Sequence, residues 1–357
     1  MVMVINLETY ILRIKEIANN FSYHQFIDLI KELDNEIING NISTLNPEFI
    51  HYFKQITSMV NDRYIIDGKP GTLGHMLVEN ALLNKERLTP TLATCFILEQ
   101  KESIGLDNVC NVINFSYLNN DNYRMMITDY HNTGESTFSI NLGHYSRKPK
   151  ENADEYNYDM MFDILHELTH VYQLTRSEQS DNPFDKLAYY DYQKDSILIR
   201  NGGNNGNIFF HQALLSEFMA DEQAYVFMLQ LAQNHPEYFN DALIQKKVSS
   251  YQCRKNGTYG DYGANPREAF NGLIADIRKT YEEYPNEPSV AFIKPMLEEI
   301  ERLNQKSQPL IAQMQMQGIS EKGWDSYYSI YLESLYQFDG EKIVITNELQ
   351  NKNAKGI

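Results

Sequence analysis

In the stretch Met161-Phe162-Asp163-Ile164-Leu165-His166-Glu167-Leu168-Thr169-His170-Val171-Tyr172, apolar side chains recur at helical spacing. Met161, Ile164, Leu165, Leu168, Val171 and Tyr172 would form one apolar part of an α-helix spanning about 154–175. On such a helix, residues i and i+4 stand one turn apart on the same face. His166 and His170 have that spacing, so both imidazoles can point at one metal ion. Glu167 lies beside that face. It can reach a water on the ion without ligating it, which is the place of a general base in a zinc hydrolase.

A zinc hydrolase needs a third protein ligand and an open fourth position. The helix expected over about 209–233 contains Ser216-Glu217-Phe218-Met219-Ala220-Asp221. Glu217 and Asp221 are again i and i+4. Leu214, Leu215, Phe218, Met219, Val226, Phe227 and Met228 make this helix strongly apolar. Its carboxylates are therefore expected to be buried, and a buried carboxylate needs partners or a metal. Glu217 is the candidate ligand. Asp221 is the candidate partner of the far ring nitrogen of a ligating His, the contact that fixes tautomer and orientation. Three other acids compete for the ligand role. Glu222 has no acid one turn on, since position 226 is Val. Asp261 sits in a Gly-rich turn. Glu268 fits a capping box in Asn265-Pro266-Arg267-Glu268.

His-Glu-x-x-His followed by Glu-x-x-x-Asp resembles the pattern of gluzincins, the thermolysin-like clan of zinc peptidases. Glu217-Phe218-Met219-Ala220-Asp221 is similar to the Glu-x-x-Ala-Asp of compact bacterial members. It also looks like the third-ligand motif of the membrane-embedded CAAX-prenyl-type peptidases, whose membrane helices have no counterpart here. The resemblance covers about 70 residues from His166 onward. It implies zinc on His166, His170 and Glu217, Glu167 as general base, and a peptide or protein substrate. It also implies that the strand before the active-site helix, here 136–142, is the edge of the cleft, free to pair with an extended peptide. Other zincin classes fit worse. A metzincin has Gly at the place of Gln173 and His at that of Arg176. Gly257-Thr258-Tyr259-Gly260-Asp261-Tyr262-Gly263 approaches the aspzincin segment, with its Asp one place late. His211, Tyr251, Tyr259 and Tyr262 are candidates to line the cleft or hold an oxyanion.

Outward from these motifs, helical spacing fills the first hundred residues, with two helices at 72–84 and 90–102. Short β-rich segments at 109–118, 123–130 and 136–142 predict a small antiparallel sheet; Phe138, Ile140 and Leu142 alternate with Thr137, Ser139 and Asn141. Asn201-Gly202-Gly203-Asn204-Asn205-Gly206-Asn207 reads as a mobile loop. Later helices start near Pro266, Pro288 and Gly323, and a strand is expected at 343–345. The expected class is α+β and predominantly helical. A helical region at 1–105 and another at 286–357 flank a zincin-like core at 106–285.

The net charge of −17 over 357 residues argues against a nucleic-acid or anionic-membrane partner, since both need clustered Lys and Arg. Three cysteines without short paired spacing predict neither a disulfide framework nor a Cys-rich zinc site. The segment Met1–Glu8 does not read as a signal peptide, and no apolar run suits a membrane span. The expected location is the cytoplasm, or outside the cell by a route that needs no signal peptide. Two other readings fit the same residues: a zinc-binding but catalytically idle interaction module, and a secreted effector or toxin peptidase acting on a host protein.

Overall fold

Helix α3, Ala153–Thr175, carries the His-Glu-x-x-His stretch. Its start is set by Asn152, whose side-chain oxygen accepts from the amides of Asp154 (3.1 Å) and Glu155 (3.3 Å). Both acids lie in the first turn, where the helix dipole favours negative charge. Met161, Ile164, Leu168 and Val171 are at most 1% exposed, so the apolar spacing does mark the buried face.

The structure is a computed structural model. It describes side chains for residues 74–101, 152–175, 177–198, 216–251 and 271–316, with a few isolated positions (Thr9, Leu12, Arg13, Glu16, 28–32, Asp34, Asn35, Thr72 and Leu106). It describes the backbone alone for the strands and for the remaining helix ends. The loop at 201–207 and the expected helix start near Gly323 lie outside these residues.

Seven further helices are described in full range: α1 Leu73–Leu83, α2 Pro90–Ser103, α4 Pro183–Arg200, α5 Leu215–Asn234, α6 Asp241–Arg254, α7 Pro266–Glu283 and α8 Ile293–Met316. Side chains cap several of them. The Thr72 hydroxyl accepts from the amide of His75 (3.0 Å), Asn182 from Phe184 (2.9 Å) and Asn240 from Leu243 (2.8 Å). Pro90 and Pro183 each occupy a first helical position, where the missing N–H costs nothing. Helix α2 receives a cap from elsewhere in the chain: Asp34 Oδ1 accepts from the amide (2.9 Å) and hydroxyl (2.8 Å) of Thr91. Helices α4 and α6 were not expected from the sequence.

Strands β3 (Cys110–Ser116), β4 (Met125–Thr128) and β5 (Ser136–Asn141) form one ladder in the order β3-β5-β4. The ladder departs from the expected sheet in two ways. The ladder is mixed, with β4 antiparallel and β3 parallel to β5. And β5 is its central strand, so both rows of its backbone groups face neighbours and it is no edge for a peptide. Alternation within one strand reports its two faces and says nothing of strand order. Two hairpins complete the strands: β1 (Arg63–Ile66) with β2 (Lys69–Thr72), and β6 (Tyr336–Asp339) with β7 (Lys342–Ile345).

The chain forms two units. Met1–Leu168, Gln230–Ile244 and Gly356–Ile357 make the first; Thr169–Leu229 and Gln245–Lys355 make the second. Helix α3 is continuous through the division. In the first unit Tyr158 meets Phe239 edge-to-face, with centroids 5.6 Å apart. Lys85, at φ 56, donates to the carbonyls of Glu237 (2.8 Å) and Tyr238 (2.7 Å). In the second unit Leu198, Ile274, Ile293, Met296, Leu297 and Ile300 build an apolar cluster. There the buried ammonium of Lys194 lies 3.0 Å from Asp191 and 3.3 Å from the Asn304 side-chain oxygen, as a buried charge requires. Among the described residues, no helix is long and apolar enough to cross a membrane.

Candidate metal centre

The buried face of α3 leaves His166 and Glu167 half-buried and draws His170 inward to 3% exposure. Residues 216–222 at the start of helix α5 are all buried. Phe218 and Ala220 are fully buried, and Glu217 goes in with them at 7% exposure. A carboxylate there needs a compensating group. It finds one in His170: Glu217 Oε1 lies 3.0 Å from His170 Nε2. His166, His170 and Glu217 each offer one ligand atom, and the three atoms lie within 4.8 Å of one another. No other group of this kind occurs among the described residues.

The donor set suits zinc. Two imidazoles and one carboxylate are three of the four ligands of a tetrahedral catalytic site. Zinc–ligand bonds of ~2 Å at tetrahedral angles separate neighbouring donor atoms by roughly 3.3 Å. The observed 3.0 Å between His170 Nε2 and Glu217 Oε1 is near that value.

Around the three residues, the His170 ring is held from two further directions. Its Nδ1 lies 2.7 Å from Gln173 Oε1, and Gln173 Nε2 donates to the carbonyl of Ser216 at 2.9 Å. Tyr192 of α4 packs on the ring with centroids 5.0 Å apart and planes inclined by 44°. Neither contact was foreseen. Gln173 stands three residues after His170, a spacing that puts the two on one helix face; that spacing was the available signal. Nothing in the sequence connects Tyr192 with His170.

Asp221 is buried at 1% exposure. Glu222 is equally buried but is not one of the three grouped residues. Tyr251 is 8% exposed and stacks on Tyr225, with centroids 3.9 Å apart and planes inclined by 14°. Burial, with the nearby Glu222 carboxylate adding to it, pushes the Tyr225 phenol up to about 12. His211, Tyr259, Asp261 and Tyr262 lie outside the described residues, and of Glu268 only the backbone, within α7, is described.

No protein-family model matches the chain, and no curated protein or solved structure matches it.

Proposed function

We propose that the chain is a zinc-dependent metallopeptidase of gluzincin type, with zinc held by His166, His170 and Glu217 and a zincin-like core over 106–285. The observation that carries this reading is the meeting of Glu217 with the two histidines of α3. Ligands drawn from two helices make a site whose geometry the fold sets, which a chance pair of exposed histidines would not have.

Zinc bound there supplies Lewis acidity toward a scissile carbonyl and acidifies the attacking water. Glu167 projects about 100° around the helix from His166. It takes the proton from the attacking water and passes it to the leaving amine. The buried surroundings of His170 and Glu217 keep water from competing for their contact. An idle zinc-binding module would need no such base. The substrate is a protein or peptide, which fits an effector acting on a host protein as well as a housekeeping peptidase.

The test is metal analysis of the purified protein together with proteomic cleavage profiling of the native chain and a Glu167→Gln variant. About one zinc per chain, with cleavage products absent from the variant, supports the reading. A protein that binds no zinc, or a variant with the same cleavage products, overturns it.

A further inference from the structure

One buried side chain outside the candidate ligand set touches both His170 and the residue before Glu217. Gln173 is 1% exposed and spends both ends of its amide inside the protein. At one end it faces the Ser216 carbonyl (2.9 Å), at the other His170 Nδ1 (2.7 Å). A carbonyl only accepts, so the group facing Ser216 must be the amide NH2. The Gln173 oxygen therefore faces the ring, and an amide oxygen also only accepts. Nδ1 of His170 must then carry a proton.

This bears directly on Nε2. Glu217 Oε1 lies 3.0 Å from it. A carboxylate alone would favour a neutral ring with its proton on Nε2, donating to Glu217. In that form Nε2 has no lone pair for a metal. Gln173 competes for the same proton from the opposite side of the ring. It also ties His170 to Ser216, the residue before Glu217, so one amide aligns both candidate ligands.

The geometry assigns Gln173 as a positioning residue that holds a proton on His170 Nδ1 and so turns the Nε2 lone pair toward a cation shared with Glu217. A neutral amide does this without adding a further negative charge beside Glu217. The consequence for zinc rests on the metallopeptidase reading; the proton's place on the ring does not.

The experiment uses the full chain with 15N-labelled histidine, first without metal. In the native protein the Nδ1 of neutral His170 carries the proton. Gln173→Met, which has similar volume and no hydrogen-bonding amide, moves it to Nε2. Zinc titrated against a competing chelator then binds roughly 10–100-fold more weakly than to the native chain. Gln173→Glu keeps an acceptor at Nδ1, so it keeps the proton there and binds zinc more tightly than Gln173→Met. Thermal melting of the metal-free variants checks that each is folded. If Gln173→Met does not fold, the native protein carries the test, and a proton on Nε2 of its neutral His170 overturns the assignment. A proton on Nε2 in the native protein, or one that stays on Nδ1 in Gln173→Met with zinc affinity unchanged, overturns the assignment. A native protein that keeps the Nδ1 proton yet binds no zinc upholds the role of Gln173 and overturns the zinc reading instead.

Discussion

The Oε1 of Glu217 lies 3.0 Å from the Nε2 of His170, although the two residues belong to different helices. Both are buried, at 7% and 3% exposure, so neither is screened by water. Truncating one leaves the other buried without its partner, which is costly. Glu217→Ala is therefore expected to lower zinc affinity far more than Glu222→Ala, though both acids are buried on α5. Chelator competition on the two variants checks this; equal losses would count against Glu217 as the ligand.

His166→Ala and His170→Ala should each lose tightly bound zinc, because two protein ligands are too few for a stable site. Zinc content after dialysis reads the outcome, and stoichiometric metal in either variant would remove that residue from the site. Asp221→Asn should be milder, weakening metal binding or turnover by roughly 10–100-fold, as the loss of a carboxylate that orients a ligating histidine does.

Glu167→Gln should keep zinc and the fold while losing nearly all turnover. The amide preserves shape but cannot accept the proton of the attacking water. Metal content, circular dichroism and cleavage rate together measure this. A near-native rate would mean that another group is the base.

Asp34 makes stability depend on pH. Burial pushes its carboxyl from 3.8 up to about 6, more than the hydrogen bonds from Thr89 and Thr91 pull it down. The folded value is thus above the unfolded one. The contribution is complete below the unfolded value and is lost as pH rises through about 6. A shift of this size corresponds to about 3 kcal/mol. Asp34→Asn keeps an acceptor for Thr91 and does not ionise. Urea unfolding at about pH 4 and about pH 8 should show the native chain losing stability relative to the variant. A constant difference between the two would exclude Asp34 as the cause.

Phe218 is fully buried beside Glu217. Phe218→Ala should cost about 3–5 kcal/mol through lost burial and the cavity left behind. The measured unfolding free energy checks this, and a loss below about 1 kcal/mol would mean that the site collapses around the smaller residue.

The sequence by itself determined the helix of Ala153–Thr175 and the placing of His166 and His170 one turn apart on it. Both follow from local periodicity, which the backbone hydrogen bonds of a single helix enforce. It also indicated Glu217 as a candidate, because a carboxylate in an apolar helix asks for a partner. Local rules favoured Glu217 over Glu222, Asp261 and Glu268 only through the Asp221 that stands one turn after it. Which side of α5 faces α3 depends on packing between residues far apart in the chain, and the tertiary structure groups Glu217 with the histidines. The place of β5 in the middle of its ladder was hidden for the same kind of reason, since alternation is identical in central and edge strands. Gln173 was legible only as a residue that does not suit a metzincin. A buried amide acquires its role from the groups across from it, here a ring nitrogen on its own helix and the Ser216 carbonyl on another. Only the tertiary structure brings those groups within hydrogen-bonding reach.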